Sequence, residues 1–153
     1  MGPFLGSLEN PNSIVQAAQL GPVKLYRIQM GQWRKHPSRV DVTMMSAKGR
    51  ATAFAPTKEM VYGTKYNGWS DQKYTDMYHA ILAAIPETEW LWLRGEGSET
   101  GQLAICCYCR VAQDIFCHTR LLVEYALMHH PELFCEHIPS AAPSDKSDRK
   151  FEK

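Results

Sequence analysis

Nowhere do the 153 residues offer the run of ~20 apolar positions needed to cross a bilayer, so no membrane-spanning helix is expected. The first residues, MGPFLGSLENPNS, lack a basic flank followed by an apolar stretch, which argues against a secretory leader. The loose N-myristoylation pattern at Gly2 also fails, because Ser7 stands one place beyond the required hydroxyl. A paired-cysteine framework is missing too. The five cysteines, Cys106, Cys107, Cys109, Cys117 and Cys135, are odd in number and confined to thirty residues. Reduced thiols in a cytoplasmic setting are therefore expected. Net charge is nearly absent, at +1, which hides an asymmetry. Residues 1–66 hold nine Lys/Arg and three Asp/Glu, whereas residues 67–137 hold four and ten. A basic half suits a phosphate-bearing partner, and equally suits two halves that neutralise each other.

What is present fits one α/β domain. Val23 to Met30, VKLYRIQM, alternates apolar and polar residues and predicts a strand. Arg39 to Met45 predicts a second, with Val40, Val42 and Met44 on one face and Asp41 and Thr43 on the other. Gly31 to Ser38 reads as a basic loop and SAKGR as a flexible one. Ala55-Pro56 should open a helix running to Lys65, since proline suits a first turn. Ser70 should cap a helix whose stripe is Tyr74, Met77, Tyr78, Ile81, Leu82 and Ile85. Pro86 begins another, with Trp90, Leu91 and Leu93 inward. LAICCYC, residues 103–109, is apolar throughout, as a central strand covered on both faces would be. A last helix should span Cys117 to His129, using Leu121, Leu122, Tyr125 and Ala126. The predicted organisation is an N-terminal tail with a short helical turn (1–22), an α/β domain (23–137) and a disordered polar tail (138–153). The predicted fold is a small central sheet flanked by helices, Rossmann-like.

Chemistry should concentrate where the apolar strand ends and the last helix begins. Ligands of α/β sheets bind beyond the carboxyl ends of strands. Cys109 stands at such an end, and Cys117 and His118 at a helix start, where amides and the helix dipole favour anions and thiolates. Cys117 and His118 are thus the catalytic candidates, with Arg110 and Arg120 supplying positive charge. A second wall is expected from Asp41, Thr43 and Ser46, and from a second helix start at Pro56. Asp41 would orient His118 or a ribose hydroxyl. Cys106 and Cys107 read as small apolar core residues. No cofactor is expected. Zinc would have to use Cys106-x-x-Cys109 with Cys117 and His118, but positions 106 and 109 of a strand point to opposite faces. Trp33, Arg34, Lys35 and His36 mix aromatic and basic groups, as nucleic-acid contacts do.

LAICCYC followed by FCHTRLLVEYAL resembles the C-terminal signature of the bacterial and phage family called domain of unknown function 488. VDVTMMSAKG, AFAPTKEMVYGTKYNG and the Tyr74/Tyr78 helix are similar to small phage-type members, so the resemblance spans residues 23–128. It implies an α/β fold with a site at the Cys-His turn and brings no established reaction. The arginine that follows Cys-His in the family is Thr119 here, with Arg120 next; one place turns a helical side chain by about 100°. The partner expected is a nucleotide or nucleic acid, with a phage enzyme of nucleotides or nucleobases as the fullest reading. The competing class is a non-catalytic interaction protein, serving counter-defence or host-factor inhibition through its acidic or basic face.

Overall fold

The computed structural model describes residues 21–109 and 116–137. The expected tail and helical turn within 1–20, the expected disorder of 138–153, and Arg110 lie outside the described residues. Within them the chain is a small single-domain α/β fold built on a parallel sheet of four strands: β1 (Val23–Gln29), β2 (Arg39–Asp41), β3 (Gln102–Cys107) and β4 (Phe134–Glu136). The order is β2-β3-β1-β4, and every neighbouring pair is parallel. The long β2–β3 connection carries α1 (Lys58–Tyr66), α2 (Asp71–Ala83) and α3 (Glu87–Gly95), and α4 (His118–His129) connects β3 to β4.

The two sheet faces are covered unequally. Val23 and Leu25 of β1, Val40 of β2, and Leu103 and Ile105 of β3 face the helices. There they meet Tyr74, Tyr78 and Leu82 of α2, Trp90 and Leu93 of α3, and Leu122 and Ala126 of α4. Each fully buried large side chain of this kind contributes about 1.5–3 kcal/mol. The opposite face, with Ile28, Ala104 and Cys106, is covered by a 3₁₀ segment, Met30–Lys35, through Met30 and Trp33. The basic loop expected at 31–38 is therefore largely this short helix. Gly97 lets the α3–β3 connection lie against the sheet: a Cβ there would stand 2.7 Å from Val23 Cγ1 and 2.9 Å from Leu103 Cβ.

The helix ends follow their caps. Thr57 accepts from Met60 N at 3.1 Å and Ser70 from Lys73 N at 3.0 Å. α1 therefore starts at Lys58, and Pro56 precedes its cap instead of opening the helix. Buried Tyr78 donates to Phe54 O at 2.6 Å, tying α2 to a second 3₁₀ segment, Gly49–Phe54, which begins within the flexible loop expected at 46–50. Arg50 of that segment forks onto Glu89 of α3 at 2.9 and 2.8 Å.

β2 is shorter than its sequence pattern predicts, ending at Asp41 instead of Met45. The Asp41 carboxylate accepts from Thr43 N at 2.9 Å and Thr43 Oγ1 at 2.7 Å, and from the Ser46 hydroxyl. That side chain supplies local partners for a turn, which competes with continued ladder pairing. β3 likewise stops at Cys107, and Tyr108 and Cys109 form a bend beyond it. β4, three residues behind Pro131, had no periodic signal to announce it.

Candidate active site

β3 places its residues with period two. Register pairs Cys107 with Gln29, in line with Leu103 and Ile105 on the helical face, while Cys106 pairs with Ile28 on the other. Cys107 thus emerges on the α4 side of the sheet's carboxyl edge. Cys117 is the N-cap of α4 with an extended backbone, and its side chain caps no amide. Its sulfur instead lies 3.0 Å from Cys107 Sγ, 3.3 Å from Thr119 Oγ1 and 3.8 Å from His118 Nδ1. Cys109 completes the group: its N–H donates to Cys107 Sγ at 3.4 Å.

His118 is buried and held by its far nitrogen, whose Nε2 is 2.8 Å from Val42 O. A carbonyl only accepts, so Nε2 carries a hydrogen, and Nδ1 faces Cys117, where it accepts from the thiol or, once it has taken that proton, donates to the thiolate. Tyr78 meets the ring edge-on at 5.7 Å. The imidazole therefore has a fixed tautomer and a packed orientation.

The electrostatics divide the thiols. A hydrogen bond from Cys107 holds Cys117 far below the ordinary cysteine range, with further help from His118 and Thr119 and against the opposing effect of burial. Cys107 is pushed far up, first by that same hydrogen bond and then by burial. The two thiols therefore titrate as one unit, with Cys117 losing its proton first. Burial raises Cys109. Burial also raises Tyr74, and the Cys117, Cys107 and Cys109 sulfurs add to the effect.

These groups open into a cleft of about 350 Å³. Its walls are mainly apolar, with Met44, Met45, Val61 and Phe116. Lys65 is the cation among its described lining residues, and no carboxylate is among them.

Five of the residues expected from sequence meet here: Cys117, His118, Cys109, Thr43 and Pro56 all line this cleft. Pro56 is wall and not a helix start; Thr57 already occupies the Met60 amide of α1. Asp41 and Ser46 do not join them. Asp41 pairs in register with Cys106, so it faces the other side of the sheet, and Val42 O takes the role expected of it toward His118. Asp41 and Ser46 line a neighbouring groove of about 580 Å³ with Trp33, Arg39, Lys48 and Trp92. Tyr108 lines both spaces, its hydroxyl 3.2 Å from Ser46 Oγ. Arg120 points elsewhere, pairing with Glu124 at 3.3 Å in a third groove. Of the aromatic and basic cluster, Trp33 lies under the Arg39 guanidinium at 4.5 Å and His36 Nδ1 meets Tyr26 Oη at 2.7 Å. The residue that sequence reasoning assigned to the core was Cys107. The signal was available: in a strand, 107 and 109 share a face and 106 does not.

The Cys107, Cys109 and Cys117 sulfurs lie within 4.8 Å of one another, close enough for three ligands of one soft metal ion. The zinc set considered from sequence, built on Cys106, is not this one, because Cys106 is turned away. Glu87, His130 and Glu132 form a second, more exposed group within the same spacing. Comparison of the chain with protein-family models, curated proteins and solved structures finds no match.

Proposed function

We propose that the protein is a thiol-dependent enzyme acting on a nucleotide or nucleobase, with Cys117 as nucleophile and His118 as its base. The observation that carries this reading is the Cys107–Cys117–His118 arrangement at the floor of the cleft. A thiol beside an oriented imidazole nitrogen is the arrangement nucleophilic catalysis requires. His118 Nδ1 takes the Cys117 proton; the thiolate attacks an electrophilic carbon, a C–S bond forms as that carbon's bond to its leaving group breaks, and the imidazolium returns the proton to the departing group.

Support for the substrate class comes from position and shape. The cleft stands beyond the carboxyl end of a parallel strand, where α/β folds bind ligands. Its thioether and aromatic walls suit a flat base, and Lys65 and the start of α4 favour an anion at the rim. The neighbouring groove, across Tyr108, adds Trp33, Trp92, Arg39 and Lys48. The sequence resemblance to the bacterial and phage family called domain of unknown function 488 implies a site at this same turn and extends the proposal to a phage protein, without naming a reaction.

The test is protection. Nucleotides, nucleobases and short oligonucleotides are screened for a thermal shift and for slowed iodoacetamide modification of Cys117. A ligand that does both supports the reading; no ligand doing either overturns it. A resident soft metal on the three sulfurs would show itself differently, because a chelator would speed alkylation of Cys107, Cys109 and Cys117 together.

A further inference from the structure

We propose that Cys107 and Cys117 are a reversible dithiol–disulfide couple, in which Cys117 attacks a disulfide substrate and Cys107 resolves the mixed disulfide. The inference rests on the reading of Cys117 as a nucleophile and adds to it a second thiol already in place. The two sulfurs are 3.0 Å apart, about 1 Å longer than a covalent S–S bond of about 2.05 Å. They come from different elements, the end of β3 and the start of α4, ten residues apart in sequence and brought together by the fold. Cys106, also buried and next in the chain, has no thiol partner among the described residues: its sulfur meets Ala104 O at 4.0 Å and the Val40 backbone. Cys107 and Cys117 both line the cleft, together with the exposed Cys109.

The exchange balances without any further reactant. The Cys117 thiolate attacks one sulfur of R–S–S–R′; a Cys117–S–R bond forms, the S–S bond breaks, and R′S⁻ leaves. Cys107 then attacks the Cys117 sulfur. The Cys107–Cys117 bond forms, RS⁻ leaves, and the Cys107 proton goes to one of the two departing thiolates. The dithiol loses two electrons and the substrate disulfide gains them, giving one thiol and one thiolate. Cys109, whose amide donates to Cys107 Sγ, holds the resolving sulfur in line.

The experiment equilibrates the folded full chain with mixtures of reduced and oxidised glutathione. It then traps thiols by alkylation and maps them by peptide mass spectrometry. The expected result is a single intramolecular disulfide, Cys107–Cys117, with loss of two alkylatable thiols and full reversal by dithiothreitol. Cys109→Ser should still form it. Cys107→Ser should stop at glutathione on Cys117. If the wild-type protein alkylates fast at Cys117 yet forms no Cys107–Cys117 bond at any glutathione ratio, the couple is refuted and the nucleophile reading survives. A disulfide that appears only in denaturant, or is blocked until zinc is chelated, refutes it as well. Slow alkylation of Cys117 sinks both readings.

Discussion

Cys106 and Cys107 are neighbours in one strand, both almost wholly buried, and their chemistry diverges. Cys106 faces the thinly covered side, beside Ile28 and Ala104, and burial, with Asp41 next, pushes its thiol up to about 12. Cys107 faces the helices and meets a second thiol. Burial alone makes a cysteine an inert small hydrophobe; a partner on the next element makes it half of a pair that titrates as one unit. The pleat of β3, and not the local composition, separates the two.

The comparison can be broken most directly at the pair itself. At pH 6 an ordinary thiol with pKa about 8.5 is only about 0.3% thiolate, so its alkylation slows roughly tenfold per pH unit below that value. Cys117 should alkylate almost as fast at pH 6 as at pH 8. Cys107→Ala, which deletes the largest stabilising hydrogen bond, should move the Cys117 profile toward higher pH, whereas Cys106→Ala should leave it in place. A profile that shifts equally in both variants would erase the distinction between the faces.

Stability should show the same division. Cys117 is depressed in the folded protein, so its contribution is present above the unfolded thiol value of about 8.5 and is lost as pH falls toward the folded one. Cys107 is raised, so its contribution is present below about 8.5 and is lost as pH rises. The pair then adds a slope of up to about 1.4 kcal/mol per pH unit, rising below pH 8.5 and falling above it. Chemical denaturation from pH 6 to 10 should show a maximum near pH 8.5, and Cys107→Ala should flatten its alkaline side.

His118 offers a finer separation of structure from chemistry. His118→Ala leaves Val42 O buried without its donor and should cost about 1–3 kcal/mol in denaturant titration. His118→Gln can restore a donor to that carbonyl without the Nδ1 acceptor. It should recover much of the stability while Cys117 alkylation stays slowed. Recovery of both would make the ring structural only. The smallest effect is expected at Arg120, whose pair with Glu124 is exposed on both sides. Arg120→Ala should change stability by no more than about 0.5 kcal/mol and leave Cys117 reactivity untouched.

Much of the scaffold was legible because its residues obey strong periodicities. Tyr74, Tyr78 and Leu82 announce α2, and LAICC announces an interior strand. The Cys117-His118 step was legible as a helix start, and the structure makes Cys117 its N-cap. What failed was contact information. Alternation placed Asp41 and Thr43 on one polar side, but the Asp41 carboxylate closes a turn two residues on, after which strand alternation no longer applies to Thr43. Arg120 was read by distance along the chain, although one turn of helix delivers it to Glu124. The imidazole's partner was unreachable from sequence in principle, since a backbone carbonyl at position 42 has no side-chain signature.

That carbonyl has a history to constrain. Ala104 N donates to Ser38 O at 3.0 Å, so with period two the acceptors aimed at β3 are the carbonyls of 38, 40 and then 42. Val42 O would be the next rung, toward Tyr108 N, but β3 ends at Cys107 and the carbonyl meets His118 Nε2 instead. A descendant that lengthened β2 and β3 together by one more rung would recover a sheet bond and release the imidazole from its tautomer. Strand length at this edge and a histidine at the start of α4 should therefore be inherited as a unit: lineages that gain the rung should lose the histidine, and lineages that keep the histidine should keep the early turn.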